Sequence, residues 1–379
     1  MSTHYKFVDN AITYDVTDRF IRKSVLNKTA GLWAWGQNSN GKLGDGTVVD
    51  KSSPVQIGSL STWISVKGGG THTISLRADG TLWTWGDNSS GQLGLGDRIP
   101  RSSPTQVGSL NNWKSVAGGQ LHTTAVRTDG TLWSWGQNDY GQLGDGTVSK
   151  KSSPVQIGSL TNWKSVSSGY YHTVALKTDG TLWSWGWNHQ YGQLGDGTAV
   201  DRSSPVQVGS LTTWASVECG SDHTIAIKTD GTLWACGYNY WGQLGDGTTT
   251  SRSSPIQVGS LTNWVTAIGG QFHTIAIKTN GTLWAWGYNA YGSLGDGTTT
   301  HKSSPVQIGS LTTWKSVAVG YAHTIAIKTD GSLWTWGFNS WGQLGDGTMT
   351  YRSSPVQVGS LTDWRTAAAG YLHSTTIAL

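Results

Sequence analysis

Short runs of alternating apolar and polar residues, each closed by a glycine-rich turn, recur along this chain from residue 31 to its last residue, 379. In residues 163–213 the runs are WKSVSSG, HTVALKT, TLWSWG and SSPVQV, and each has the length and alternation of one β-strand. Asp179-Gly180 separates the second run from the third, and this pair accepts the positive φ angles of a tight hairpin turn. Four such strands in a row predict an antiparallel meander, with strands A, B, C and D in chain order. The Leu-Trp pair of strand C returns with its tryptophan at Trp33, Trp83, Trp133, Trp183, Trp234, Trp284 and Trp334, spaced by 50 residues five times and 51 once. A fixed period of this length marks an array of one supersecondary unit. The units are numbered one to seven here in the order of their C strands.

Within strand C, Trp183 and Trp185 share one face while Leu182 and Ser184 share the other. One face of each unit is therefore bulky and the other small, so the large face of one can set against the small face of its neighbour. The chain starts on strand C at GLWAWG (31–36) and stops on strand B at HSTTIAL (373–379), so its two ends hold complementary halves of one unit. The expectation is an all-β, seven-bladed β-propeller of four-stranded antiparallel blades over residues 31–379. The ring closes by pairing N-terminal strands C and D with C-terminal strands A and B, which abolishes the open end faces. Residues 1–30 precede the repeat and carry Phe7, Val8, Ile12, Tyr14, Val16, Phe20 and Ile21. They read as an extension that folds onto the ring, or as an arm that docks on a neighbouring subunit. Their end, KSVLNKTAG (23–31), looks like a decayed strand B.

Composition narrows the function. Charged residues make up 13% of the chain and the net charge of +4 is spread along it without runs, which argues against nucleic-acid or membrane-surface partners. There is no apolar stretch of membrane-spanning length, and no apolar h-region follows the N-terminus, so a cleaved signal is not expected and localisation stays open. Cys219 and Cys236 lie in strands A and C of one blade, about 10 Å apart across two strand spacings and too far for a disulfide.

The motif G-Q-L-G-D-G (141–146, 192–197, 242–247, 342–347), followed in order by G-x-x-H-T (169–173, 220–224, 320–324), resembles the repeat of the RCC1 family, the regulator of chromosome condensation. The resemblance covers residues 31–379 and implies a seven-bladed propeller. It also implies, from the founding member, nucleotide exchange on the small GTPase Ran and chromatin binding through an inserted wedge and a basic tail. The repeats here keep nearly one length and show neither feature. Such regular, Trp-rich repeats look more like bacterial and bacteriophage members, where the propeller is a binding or structural module.

Three recurring chemistries invite a site, and each has a structural explanation. His72, His122, His172, His223, His273, His323 and His373 open strand B once per blade, and the ring is expected to spread them apart and bond each to nearby backbone. Asp45, Asp145, Asp196, Asp246, Asp296 and Asp346 sit in Gly-Asp-Gly turns, where turn chemistry is expected rather than calcium. The basic residue before Ser-Ser-Pro (Lys51, Arg101, Lys151, Arg202, Arg252, Lys302, Arg352) is expected to guard the outer strand edge. No metal, cofactor or catalytic residue follows from these patterns.

The informative signal is where the copies differ. The B-to-C and D-to-A connections barely change, whereas the A-to-B and C-to-D loops, which share one side of the ring, vary widely. Aromatic residues gather in the C-to-D loops of blades four to seven at Trp187, Tyr191, Tyr238, Trp241, Tyr288, Tyr291, Phe338 and Trp341. Tyr170, Tyr171, Phe272, Tyr321 and Tyr371 join them from the A-to-B turns. Loops on a rigid scaffold carry binding, and clustered aromatics are typical anchors. The expectation is a non-enzymatic module with a protein partner on this face, part of a bacterial or phage virion assembly. The alternatives are an exchange factor for a small GTPase, which would need a wedge loop, and a glycan-binding lectin, which a glycan array would reveal.

Overall fold

The computed structural model describes residues 30–59 and 62–379, together with a short backbone pairing of Val8–Asp9 with Ile12–Thr13. The expectations for the arm and for the decayed strand at 23–31 therefore fall almost wholly outside the described residues. The rest is a seven-bladed propeller of four-stranded antiparallel blades. Blade four is representative, with strand A at Trp163–Ser168, B at His172–Lys177, C at Leu182–Gly186 and D at Arg202–Gln207. Blade one is the composite. Gly31–Gly36 pairs with His373–Ala378 through every residue from Gly31↔Ala378 to Gly36↔His373, and Lys51–Gln56 and Trp364–Ala369 complete the sheet.

The A strands line a central channel of about 180 Å³, and the D strands, each with its proline, form the outer edge. Burial lies between blades. Trp163, Val166, Ala175 and Trp185 of blade four pack on Ala117, Val126 and Leu132 of blade three, with Ile157 of the connection between them. Trp163 meets both Trp183 and Trp185 edge-on at 6.1 Å, which fixes the large face as read from strand C. Each buried ring contributes several kcal/mol at roughly 25 cal/mol per Å².

The constancy of the B-to-C turn has a local cause. Asp179 Oδ1 accepts from the Thr181 amide and hydroxyl at 3.0 and 2.7 Å, Trp183 Nε1 donates to that hydroxyl at 2.9 Å, and Lys177 Nζ lies 3.6 Å from the Trp183 ring centroid. Four side chains lock one another, so little there can vary. Two glycines of the opposite loop are equally constrained. A Cβ on Gly144 (φ +78°) would stand 2.7 Å from Trp185 Nε1 of the next blade, and one on Gly141 (φ +77°) would meet the Ser203 backbone at 2.5 Å.

The histidines correct the expectation. They are not bonded to backbone and they are not isolated. His122 Nε2 bonds Thr173 Oγ1 of the following blade at 3.1 Å, and the pattern runs round the ring until His373 Nε2 meets Thr73 Oγ1 at 2.9 Å. His72 and His172 flank His122 closely enough to influence its charge. Each hydroxyl in turn donates to a loop carbonyl of the preceding blade, as Thr173 does to Gln142 O at 2.9 Å, and the same carbonyl takes Trp185 Nε1 at 3.0 Å. Since the threonine proton is committed, the histidine proton sits on Nε2. Burial then holds the ring neutral, with pKa values lowered to about 3 in His122, His172, His223, His273 and His323 and to about 4 in His72.

Cys219 and Cys236 are free and buried, as their spacing predicts. Cys236 stands where the other blades have their second tryptophan, with Sγ 3.7 Å from Gln193 O, and burial pushes its thiol up to about 12. A thiol held protonated is a packing residue.

Candidate functional site

The variable face is a set of loops held rigidly from below. Asn138 is fully buried at the root of its C-to-D loop. Its Nδ2 donates to Asp145 Oδ1, Thr147 O and Ser149 O at 3.1, 3.0 and 3.2 Å, and its Oδ1 accepts from the Leu143 amide at 2.9 Å. The counterparts are Asn38, Asn88, Asn188, Asn239, Asn289 and Asn339. Sequence reasoning missed this hub, although an asparagine two residues after the strand-C glycine in every copy was its signal. Replacing Asn138 by alanine strands several buried backbone groups and should cost about 2–3 kcal/mol in urea unfolding. An unchanged midpoint would show that water replaces the hub.

The Gly-Asp-Gly aspartates complete the loop. Asp145 Oδ1 takes the Thr147 amide and hydroxyl at 3.0 and 2.7 Å, while Oδ2 faces Lys151 Nζ at 3.4 Å. Burial raises the carboxyl's pKa, but the Thr147 and Asn138 bonds and the Lys151 charge outweigh it and hold the pKa below the ordinary range. Blade two lacks the motif yet keeps the device, since Asp97, two positions later, accepts from Asn88 Nδ2 at 3.0 Å and pairs with Arg101 at 2.7 Å. The basic residues before Ser-Ser-Pro, expected to guard the outer edge, also serve as ion-pair partners, from Lys51–Asp45 at 3.5 Å to Arg352–Asp346 at 2.8 Å. Among the described residues no three His, Cys, Asp or Glu side chains gather as a metal set.

On this base the aromatic residues form a continuous, closed chain that spans the loops of blades four to seven and crosses the channel mouth. Tyr171 touches Trp187 at 6.1 Å, Trp187 touches Tyr191 at 5.5 Å and Tyr191 meets Tyr238 at 4.4 Å. The chain continues through Phe272 at 5.7 Å, Tyr288 at 6.2 Å, Tyr291 at 5.8 Å and Phe338 at 4.9 Å. Tyr321, Tyr371 and Tyr170 bring it back to Tyr171 at successive separations of 5.8, 4.7, 6.1 and 4.8 Å. Tyr170 and Tyr371 come from opposite blades and their rings meet edge-on across the channel end at 6.1 Å.

Of the eight residues expected as anchors, seven are half-buried members of this chain or attached to it. Trp241 leans on Tyr288 at 5.0 Å and on His301 at 4.8 Å. Trp341 stands apart, 39% exposed and without a ring contact among the described residues. Five contributors were not singled out from the sequence, among them Tyr140 at 5.1 Å from Tyr171 and His189 at 5.3 Å from Trp187. Tyr240 is 62% exposed and stacks on Tyr238 at 6.4 Å, while His301 and Tyr351 reach in from the far end of their C-to-D loops. Only the fold shows that a residue so distant along its loop returns to the same surface.

Solved structures share this architecture. Human WBSCR16 superposes with a TM-score of 0.83 at 23% identity, covering 92% of this chain and 98% of its own. Prp20p from Saccharomyces cerevisiae, described with its binding to Gsp1p and histones, gives 0.81 at 21% identity over 93% and 92%. Yeast RCC1 (Prp20) in its complex with Kap60 gives 0.82 at 19% identity over 100% and 96%. The model of the regulator of chromosome condensation (RCC1) repeat matches seven times, at residues 30–76, 79–126, 129–176, 179–227, 230–277, 280–327 and 330–377. Each match begins at strand C and ends in the strand B of the following blade, the phase in which the chain itself threads the ring, and the protein belongs to the RCC1 repeat family.

Proposed function

We propose that this propeller is a protein-binding module whose contact surface is the aromatic loop face of blades four to seven. The carrying observation is the continuous chain of half-buried rings on a face where the repeat is otherwise free to vary, set on loops that are locked underneath. Rings already packed against one another lose little conformational freedom on binding, which is the property of good anchors. Relatives of the same fold bind proteins, as Prp20p does Gsp1p and histones. A setting in a bacterial or virion assembly rests on the regularity of the Trp-rich repeats, and affinity capture from purified particles would test it.

Trp341→Ala is the cleanest probe, because its ring is exposed and touches no other ring among the described residues. It should weaken binding to a captured partner by about 2 kcal/mol with an unchanged melting temperature. Trp241→Ala should weaken binding comparably and also lower the melting temperature, since that ring packs on Tyr288 and His301. Intact binding in both variants would move the contact elsewhere. A glycan array is the companion measurement, because rings also stack on sugars.

A further inference from the structure

One carboxylate on this face has no counterpart in the other blades. The residue preceding the strand-B histidine is Thr71, Leu121, Tyr171, Phe272, Ala322 or Leu372 elsewhere, and in blade five it is Asp222. Its backbone carbonyl accepts from the Tyr238 amide at 2.8 Å, as the equivalent carbonyls do in every blade, so the side chain is carried on a fixed peptide. Around it stand Tyr170, Tyr171, Tyr191 and Tyr238, all near enough for its charge to raise their hydroxyl pKa values.

What sets Asp222 apart is its lack of a partner. In blade two, Asp87 sits beside the equivalent position and is held by Gln92 at 2.9 Å and Ser89 at 3.0 Å, and the turn aspartates are bonded as described. Among the described residues Asp222 alone of the carboxylates makes no side-chain hydrogen bond or ion pair. No basic side chain influences it. Partial desolvation is the cause acting on its acidity and pushes it up to about 7. The residue is half-buried, so its unpaired carboxylate can still be reached from solvent by a ligand.

We propose that Asp222 and the tyrosines around it form a pocket for a cationic side chain, an arginine or lysine presented by a protein partner. The inference rests on the reading of this face as a protein-docking surface and names the chemistry of its centre. Both halves of the pocket favour the same charge. Ring faces attract a cation through their quadrupole, and an unpaired carboxylate beside them adds charge-assisted hydrogen bonds. A sugar would stack on the rings but bring only neutral hydroxyls to the acid.

The test uses N-acetyl-arginine amide and N-acetyl-lysine amide as probes, with N-acetyl-norleucine amide and maltose as neutral controls, followed by calorimetry and ligand-observed NMR on the full chain. The cationic probes should bind at about millimolar Kd and at least about tenfold more tightly than either control. Asp222→Asn should reduce their affinity by about tenfold or more while leaving the melting temperature equal or higher, because an unpaired charge has been removed. Tyr238→Leu, which keeps apolar packing, should weaken them several-fold. Equal binding of the norleucine probe, preference for maltose, or unchanged affinity in Asp222→Asn would each overturn the pocket. Selection of a displayed random-peptide library on the protein separates the two readings. Peptides that need Trp341 but show no enrichment in arginine or lysine would end the cation inference and leave the docking face. Cationic probes that bind when no peptide competes for the face would do the reverse.

Discussion

Acidification should unfold this propeller steeply within about one pH unit below the ordinary histidine pKa of 6.5. The seven ring histidines are buried and neutral, six of them with pKa values lowered to about 3 or 4 and His373 well below its ordinary value. Above pH 6.5 neither state takes up protons at these sites and stability is flat. Below it the unfolded chain binds protons that the folded ring refuses, and this continues until the folded values are reached. Each histidine then costs about 1.4 kcal/mol per pH unit, so seven cost about 10 kcal/mol per unit. That rivals the whole stability of an ordinary domain, typically about 5–15 kcal/mol. The unfolding midpoint, read by tryptophan fluorescence, should fall between about pH 5 and 6 with uptake of about seven protons. The turn aspartates act in a separate window. With pKa values lowered from 3.8, they stabilise above that value and give way only below it. His172→Gln should reduce the proton uptake by one, and a midpoint below pH 4 would mean that the histidines are accessible to protons in the folded ring.

Removal of residues 31–59 should abolish cooperative folding. Strands C and D of blade one are the only cover for His373–Ala378 on one edge, and Trp35 bonds Gln343 O of blade seven at 2.9 Å. The deletion strips Leu32, Ala34, Leu43 and Ile57 from one inter-blade core and Trp35 from the next. The lost tryptophan alone is worth about 3–5 kcal/mol, and two opened blade faces add to it. A permutant that links residue 379 to residue 31 and opens the ring at the Gly158 turn should melt like the parent, because every strand pairing within the blades survives. A deletion variant with the parent's melting temperature would show that the ends do not close the ring.

How much of this was legible in advance differs between scaffold and surface. The strand-C tryptophans gave period, blade count and face, because a residue repeated at fixed spacing has the same neighbours in every copy. The out-of-phase ends gave the composite blade for the same reason. The aromatic loops could be named but not arranged. Nothing in the spacing of Tyr170 and Tyr371, 201 residues apart, says that they meet across a channel.

The histidines mark the boundary most clearly. Alternation and period are local properties, so the sequence determined the strands, their order and the number of blades. A hydrogen bond between His122 and Thr173 joins residues a full repeat apart, and its strength depends on water being excluded from both. The same holds for Asp222, an unremarkable acid until the ring sets it among four tyrosines from two blades. Only the tertiary structure decided these, because desolvation and contact between blades do not exist in the chain until the ring is shut.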